Sequence, residues 1–435
     1  MNKSMNAKAL TKVLFLFSFT LIISCKKNTS TSPVIVISSP YAGQIFNIND
    51  TINVKATITY NSSLQYVKLS LINSDYIPVD VTESLTITGS PMNVNTSYII
   101  SNTGLSSGAY YIEITAYDAT NLVNSFQQIN INAIPRKRTA VYVITGSNNA
   151  NTKVWKVDSA GNISSVISLS GDFANAAISS SDQCLYTTGI YSGNFNCINL
   201  NTNTISWNVP AINNGFPTFE TVFSNNQSNF IAEYNNVIKG YNKVGFNNFT
   251  ASTISGTYPH TMFTDSKYLY AEQRDLTGQN INLKVYNIAN GAALQEFALN
   301  QDIVAIFSIN QDSLMVFTNH NGIGQAIIYN IRNNYTTIAH SLPAEKIFSA
   351  VQFTPENFLL AMQNNIYTFT THNFGSYNTF ATIPAASAMK YDSLNSQLFI
   401  INANNLILYN YPSSTPYNTI LFADTLKDIS ILYNK

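Results

Sequence analysis

The chain has 435 residues; 45% of them are hydrophobic and only 10% are charged, and 22 Lys and Arg balance 22 Asp and Glu. This length is too great for one ordinary core, so we expect two or more domains. Nucleic acid is bound by a clustered basic face, and none is visible, so we expect no nucleic-acid partner. A near-neutral surface rich in Asn, Ser, Thr and Tyr suits a protein or glycan ligand instead.

Residues 1–24 have the pattern of a signal peptide. Lys3, Lys8 and Lys12 form a positive start, and Val13–Ile23 is an apolar run. This run is too short to span a membrane and has the length of a signal-peptide core. The sequence therefore predicts export.

The apolar run ends in Ile22-Ile23-Ser24-Cys25, which resembles the lipobox of bacterial lipoproteins. The resemblance implies cleavage before Cys25, lipidation of its thiol and anchoring by the acyl chains alone. The alternative is an ordinary secretory signal followed by an incidental cysteine. Residues 25–33 then form the lipidated residue and a polar tether.

Residues 34–133 contain short alternating strands, which predict a β-sandwich. The segment Leu105-Ser-Ser-Gly-Ala-Tyr-Tyr111 resembles the tyrosine corner of immunoglobulin and fibronectin type III modules. The resemblance implies that the Tyr111 hydroxyl turns back to the corner. Residues 112, 114 and 116 are Ile, Ile and Ala, and by their apolar character they are predicted to face the core.

Residues 134–138 are predicted to be the domain boundary, because Pro135 cannot continue a strand ladder. Arg136, Lys137 and Arg138 form a basic triplet there. We interpret it as part of a solvated linker, with a phosphate or lipid-headgroup contact as the alternative.

Residues 139–435 repeat one pattern seven times: an apolar strand, a turn, and a strand that ends near an aromatic residue. The equivalent positions are 43, 43, 45, 43, 40 and 40 residues apart, and they are Trp155, Ile198, Tyr241, Tyr286, Tyr329, Phe369 and Tyr409. A strand-only period of this length is typical of propeller blades. Because these side chains recur once per repeat, we interpret them as packing between neighbouring sheets.

A further apolar strand precedes each pair except the first, and the last of these strands lies at 428–432. The C-terminal strand can therefore complete the first repeat and close the ring, which removes exposed sheet edges. This region resembles the seven-bladed propellers related to WD40 and YVTN repeat proteins, which occur in lipoproteins of the Bacteroidetes type behind Ig-like modules. The predicted fold class is all-β: an Ig-like β-sandwich followed by a seven-bladed β-propeller closed by the C-terminal strand.

Propeller ligands usually meet the face made by the loops that lead into the inner strands and by the loops between the second and third strands. In this register the ligand-face candidates are Asp172, Phe216, Glu220, Tyr258, His260, Asp302, Glu345, Lys346, Lys427 and Asp428. The alternative is that these loops are polar only because they are exposed.

Catalytic and metal-binding motifs are not found in the sequence, so we assign no catalytic residue, no metal and no cofactor. Glu220, Asp302 and Glu345 could nevertheless converge across the channel. Enzymatic function is therefore left open, as a lyase or hydrolase that uses channel-mouth carboxylates and His260.

Cys184 and Cys197 lie on the two strands of one predicted hairpin. A tight turn at Tyr191–Asn194 would place them about four residues out of register, whereas a longer loop would bring them opposite each other. Export makes a disulfide chemically possible. Both alternatives, a disulfide and two buried free thiols, stay open.

These features together predict a lipid-anchored binding or scaffold protein of the cell envelope. We expect the outer membrane as its location, on either the periplasmic or the cell-surface side. In the Bacteroidetes-type lipoproteins that the chain resembles, surface export is associated with acidic residues soon after the lipidated cysteine. Here Lys26 and Lys27 follow it and the first acidic residue is Asp50, so the resemblance favours the periplasmic side.

Overall fold

A computed structural model describes residues 32–61, 63–146, 151–212, 215–224, 229–371 and 376–435. The predicted signal peptide and Cys25 lie outside the described residues. The described chain consists of strands and turns, and it divides into two compact units, one ending at Pro135 and one beginning at Arg136. None of its segments forms a helix long and apolar enough to cross a membrane.

The N-terminal unit contains two sheets that share one apolar core. Its strands alternate buried and exposed residues, as expected for sheets with one face in the core. A three-stranded sheet has the order β1-β3-β6 and a five-stranded sheet the order β2-β8-β7-β4-β5. The strands are β1 Val34–Ser39, β2 Gln44–Asn47, β3 Thr51–Thr59, β4 Tyr66–Ile72, β5 Glu83–Leu85, β6 Met92–Ile99, β7 Gly108–Tyr117 and β8 Leu122–Asn132.

The tyrosine that closes the corner before β7 is Tyr110 and not Tyr111. The Tyr110 hydroxyl donates to the Ser106 carbonyl oxygen at 3.0 Å, and the ring is buried. Tyr110 has the same parity as Ile112 and Ile114, which are fully buried as the sequence predicts. Tyr111 points to the other face of the sheet, because successive side chains of a strand alternate.

The C-terminal unit consists of seven four-stranded antiparallel sheets. The three strands predicted for each repeat are the inner three, and each sheet adds an outer strand that the sequence analysis did not identify. From inner to outer strand, the sheets are as follows: β36 Leu426–Tyr433, β9 Arg138–Thr145, β10 Asn151–Val157 and β11 Ile163–Ser170; β12 Asn175–Ser179, β13 Cys184–Thr188, β14 Phe195–Asn199 and β15 Thr204–Val209; β16 Phe219–Ser224, β17 Asn229–Glu233, β18 Val237–Tyr241 and β19 Asn247–Ser252; β20 Thr257–Thr264, β21 Tyr268–Asp275, β22 Ile281–Asn287 and β23 Ala293–Ala298; β24 Asp302–Asn310, β25 Ser313–His320, β26 Ile323–Asn330 and β27 Tyr335–Ser341; β28 Ile347–Thr354, β29 Asn357–Met362, β30 Ile366–Thr370 and β31 Ser376–Ala381; β32 Ala388–Asp392, β33 Gln397–Asn402, β34 Asn405–Asn410 and β35 Pro416–Leu421.

The inner strands follow one another around a closed ring. Each contacts the next, and β12 contacts β36. The C-terminal strand β36 pairs with β9, as the repeat pattern predicts, with Ile429 opposite Val143. We call the seven sheets the ring and the space between their inner strands the channel.

The repeated aromatic side chains pack between neighbouring sheets. Tyr286 packs against Phe230 and Phe249 of the preceding sheet, and Tyr329 packs against Val285 of the sheet before its own. These positions therefore hold the ring together and do not form a ligand-stacking surface.

Two arginines of the basic triplet at the boundary make specific contacts, although Arg136 and Lys137 are exposed to solvent. Arg138 lies in β9, and its guanidinium forms an ion pair with Asp392 of β32 at 2.9 Å. The Arg136 guanidinium lies 4.0 Å from the centre of the Tyr433 ring. Both arginines therefore contact the strands that close the ring.

Candidate functional site

The channel encloses about 890 Å³. Among the predicted ligand-face residues, those that line it are His260, Asp302, Lys346 and Asp428. Both polar and apolar residues of the inner strands line it. A space of this size accommodates a small molecule or a protruding loop of a partner.

Five inner strands carry a β-bulge near the end at which they begin. In β16, β24, β28 and β36, one residue of the inner strand has no partner on the neighbouring strand. In β20, two residues stand opposite the single residue Glu272. The bulged residues are Glu220, His260 with Thr261, Val304, Phe348 and Lys427. A bulge breaks the strict alternation of side chains and redirects them, and bulges are common beside functional sites.

Two of these bulges bring together a charged cluster, which consists of Glu220, His260, Glu272, Arg274 and Asp302. His260 lies between two carboxylates, with Nε2 3.4 Å from Glu220 Oε1 and Nδ1 3.4 Å from Glu272 Oε2. Arg274 Nε donates to Glu272 Oε1 at 2.8 Å, and its Nη2 lies 3.8 Å from Asp302 Oδ1. The cluster thus joins three neighbouring sheets of the ring.

Exposure increases along the charged cluster from its centre to the channel. The side chain of Glu272 is fully buried, whereas that of His260 is 36% exposed and that of Asp302 is 53% exposed. Glu272 also accepts hydrogen bonds from the backbone N–H groups of Thr261 and Ile303. Glu272 is therefore the buried centre of the cluster, and His260 and Asp302 are the groups that a ligand can reach.

The pKa values of Glu220 and Glu272 are shifted in opposite directions. Burial alone would raise the pKa of Glu272, but its hydrogen bond with His260 and the charges of His260 and Arg274 hold the pKa below its ordinary value. Burial raises the pKa of Glu220, and the charges of His260 and Arg274 only partly oppose this rise. Neighbouring carboxyl groups whose pKa values are pushed apart can act as a proton acceptor and a proton donor.

An aromatic and apolar rim borders the charged cluster. The Tyr258 ring stacks on that of Tyr234 with centres 4.7 Å apart, and Tyr258 is opposite Arg274 in the strand pairing. Burial, followed by the charge of Glu220, raises the pKa of Tyr258. Nearby loops expose further apolar side chains, namely Tyr191, Ile212, Phe216 and Leu276.

Asp172 has a structural role in the loop between β13 and β14. Its carboxylate accepts hydrogen bonds from the backbone N–H groups of Ile190, Tyr191, Ser192 and Gly193 at 2.7–3.3 Å. Burial opposes its ionisation, but these hydrogen bonds lower its pKa overall. Asp172 therefore fixes the loop between β13 and β14, and its oxygens are already occupied.

The remaining predicted residues lie away from the charged cluster. Glu345 Oε2 accepts from the backbone N–H of Asn364 at 3.0 Å, and Lys346 lies over the Phe348 ring. Asp428 accepts from the backbone N–H of Ala176 at 3.3 Å, and burial in the channel wall raises its pKa. Of the three carboxylates considered for convergence, Glu220 and Asp302 belong to one cluster and Glu345 does not.

The sequence analysis missed Glu272 and Arg274, the two residues that connect the cluster. They lie in Tyr268–Asp275, the second strand of its sheet. The second strands of the other sheets contain no Glu–Arg pair, and only Arg138 and Glu233 among their residues are Arg, Lys, Asp or Glu. A charged pair in a buried strand of a chain with only 10% charged residues is the signal that could have found them.

Cys184 and Cys197 are free, buried thiols in the structure. Cys184 stands opposite Asn199 and Cys197 opposite Tyr186, so the two cysteines are two residues out of register and not four. Within the described residues, His, Cys, Asp and Glu form no group of three or more that could hold a metal ion.

No protein-family model matches the sequence, and no curated protein matches it. Two solved structures are similar in fold. The computationally designed Ika8 protein has 11% identity and a TM-score of 0.43 over 68% of this chain and 91% of its own. The WD40 β-propeller domain of Doa1 has 9% identity and a TM-score of 0.47 over 61% of this chain and 90% of its own. The closed ring of four-stranded sheets in the described chain is itself a propeller-like all-β fold.

Proposed function

We propose that this chain is a lipid-anchored binding protein of the cell envelope. In this proposal residues 1–24 are a signal peptide, Cys25 carries the lipid, residues 34–133 are an Ig-like spacer and the ring is a seven-bladed β-propeller. The lipobox-like Cys25 supports the anchor, and the two-sheet core with its Tyr110 corner supports the spacer. The closed succession of seven inner strands supports the propeller.

The ligand, a protein or a glycan, binds at the channel mouth beside the charged cluster. The observation that carries this proposal is the gradient from fully buried Glu272 to half-exposed Asp302, which holds a charge at the channel surface on a rigid base. Three carboxylates against one guanidinium leave the cluster negative unless His260 and Glu220 are both protonated. A ligand with a cationic group, such as a Lys or Arg side chain of a protein partner, therefore fits best.

The test is capture of ligands by the full-length chain in detergent, with chemical crosslinking for proteins and an array for glycans. Asp302→Asn should lower the affinity for the captured ligand about tenfold and reduce the salt dependence of binding. Asp312→Asn is the matched control, because Asp312 lies in the turn at the other end of the same sheet. A ligand that binds both variants equally would contradict the proposed site.

A second function, an envelope lyase or hydrolase, is favoured by one observation. The pKa of Glu220 is raised and that of Glu272 is lowered on the two sides of His260. Such a pair suits general acid and base catalysis. Turnover of envelope polysaccharides or peptides that is abolished by His260→Ala and by Glu220→Gln would establish it, and binding without turnover would support the first function.

The outer membrane is the proposed location, on the periplasmic or the cell-surface side. Metabolic labelling with palmitate should mark the full-length chain and should not mark a Cys25→Ser variant. Proteolysis of intact cells then distinguishes the two sides, because only a surface-exposed chain is digested.

A further inference from the structure

One face of the five-stranded sheet in the N-terminal unit carries exposed aromatic rings. Ile112, Ile114 and Ala116 of β7 are buried in the core. The alternate residues of this strand therefore point outward; they are Tyr111, Glu113, Thr115 and Tyr117. We call the outward side chains of β4, β7 and β8, together with Tyr76 from the loop after β4, the aromatic face.

The strand register arranges the aromatic face in rows. Tyr66, Tyr117 and Leu122 form one row; Lys68, Thr115 and Asn124 form the next; Ser70, Glu113 and Phe126 follow, and Ile72, Tyr111 and Gln128 form the last. Ser70 and Ile72 are buried, so the exposed part of the last two rows lies on β7 and β8. Tyr111 and Tyr117 are six residues apart on one strand, which corresponds to about 20 Å. The face is therefore long, and it has rings at both ends.

The rings at each end form a compact group. At one end the centres of Tyr66 and Tyr117 are 5.2 Å apart, and the Lys68 ammonium lies over Tyr66. At the other end Tyr76 stacks on Tyr111 at 6.2 Å and meets Phe126 edge-on at 5.2 Å. Tyr76 is 62% exposed and Phe126 is 41% exposed. Large aromatic side chains that are exposed together often mark a binding surface.

Charge selects among ligand classes for this face. Its outward strand residues include one cation, Lys68, and one acid, Glu113, so their charges balance. Nucleic acid and acidic polymers need clustered cations, which these rows do not provide. A protein interface has a contiguous apolar centre, whereas here a polar row with Thr115 and Asn124 separates the two groups of rings.

A neutral polysaccharide matches this pattern. The C–H bonds on the flat side of a sugar ring carry a slight positive charge and pack on the negative face of an aromatic ring, while its hydroxyl groups need donors and acceptors at the edge. We infer that the aromatic face binds a neutral glycan chain, with one sugar on the Tyr76, Tyr111 and Phe126 group, another near Tyr66 and Tyr117, and the polar row bonding to hydroxyls between them. This site is separate from the ligand site proposed for the ring.

The inference is tested with the full-length chain in detergent and four neutral polysaccharides: xylan, galactomannan, mixed-linkage β-glucan and pullulan. Affinity electrophoresis should show retardation by at least one of them. The double variant Tyr76→Asn/Phe126→Thr should weaken that binding about tenfold or more in calorimetric titration. Asn tolerates the left-handed backbone at position 76, where φ is 61°, and Thr suits a strand, so the fold is preserved.

Two controls make the result specific. Ile99→Thr removes an apolar side chain that is 57% exposed on the three-stranded sheet, and it should bind as the unaltered chain does. Asp302→Asn should retain binding of the polysaccharide even if it loses the ligand of the ring, so the two proposals fail separately.

Three results would overturn the inference. The first is the absence of retardation by all four polysaccharides, and the second is binding that the double variant leaves unchanged. The third is a dimer of the unaltered chain in analytical ultracentrifugation that the double variant dissociates, because the aromatic face would then be the interface between two copies of this chain.

Discussion

Within the charged cluster, the ionised side chains of Glu220 and Glu272 are expected to have opposite effects on stability. Glu272 is fully buried but has partners on both oxygens, whereas Glu220 is largely buried and has only His260 as a nearby ion-pair partner. A buried charge is tolerated where its partners offset the loss of hydration. The direction of each pKa shift shows that this compensation succeeds at Glu272 and fails at Glu220.

Replacing these glutamates by glutamine should therefore change stability in opposite directions at neutral pH. Glu272→Gln leaves Arg274 without its closest partner and should lower the free energy of unfolding by about 3 kcal/mol. Glu220→Gln should leave it unchanged or raise it by up to about 1 kcal/mol. Both tryptophans, Trp155 and Trp207, lie in the ring, so their fluorescence during urea unfolding reports on this unit alone.

The pH dependence follows from the same shifts. The contribution of Glu272 is fully present above its ordinary pKa of 4.5 and is lost as pH falls through the lowered folded-state value. The penalty at Glu220 is present above its raised pKa and decreases as pH falls from that value to the ordinary pKa of 4.5, so the advantage of Glu220→Gln should be lost once pH falls below 4.5. Equal destabilisation by both substitutions at pH 7 would contradict this account.

Asp172 should matter for stability more than for ligand binding. Asp172→Ala leaves the N–H groups of the loop Ile190–Gly193 without their acceptor and should cost about 2 kcal/mol in tryptophan-monitored unfolding. Asp302→Ala, at a half-exposed carboxylate, should change stability by no more than about 0.5 kcal/mol. If Asp302→Ala proves the more destabilising of the two, the roles assigned here are reversed.

The ionisable groups of the site were only partly predictable from the sequence. Glu220, His260 and Asp302 lie in the first half of inner strands, so the repeat register placed them on one face. The register does not indicate which of these residues touch. Their convergence depends on the bulges at Glu220 and His260 and on Glu272 and Arg274, whose strand pattern marks them only as unusual.

At the level of strands, the inner three of each sheet were predictable and the outermost was not. The inner strands are buried on both sides and appear in the sequence as apolar runs, as in Cys184–Thr188. The outer strands have solvent on one side. Tyr335–Ser341 and Ser376–Ala381, for example, show no regular alternation of apolar and polar residues that would distinguish them from loops.

The corner before β7 shows how a shift of one residue changes a prediction. The motif contains adjacent tyrosines, and only their parity relative to Ile112 and Ile114 decides which one enters the core. The apolar set was identified correctly, and the same parity assigns the buried position to Tyr110 and the outward position to Tyr111. Parity was therefore a better guide here than the position of the residue in the motif.

Tyr110→Phe should consequently destabilise the N-terminal unit, and Tyr111→Phe should not. The first substitution removes the hydroxyl that donates to the Ser106 carbonyl oxygen and should cost about 1 kcal/mol. The second keeps the ring that stacks on Tyr76. Differential scanning calorimetry of the full-length chain should show a lower transition temperature for the N-terminal unit in Tyr110→Phe alone; the opposite order would restore Tyr111 as the corner residue.

At the level of the whole ring, three distant segments meet where the chain closes on itself. Asp392 of β32 is fully buried, forms an ion pair with Arg138 of β9 and accepts a hydrogen bond from the Tyr433 hydroxyl of β36 at 3.1 Å. Arg138 also donates to Gln397. A single carboxylate thus ties the beginning and the end of the ring to its last complete sheet.

Closure by β36 leads to a prediction about the whole ring. Deletion of residues 426–435 removes Leu426, Ile429 and Leu432 from the core and exposes the edge of β9 and the faces of both neighbouring sheets. The truncated chain should be poorly soluble, and its tryptophan fluorescence should lack the cooperative urea transition of the ring. A synthetic peptide of residues 426–435, added during refolding, should restore that transition, because the strand supplies pairing and core contacts without a covalent link. A peptide of the same composition in scrambled order is the control, and restoration by both peptides, or cooperative unfolding without either, would show that the ring does not depend on this strand for closure.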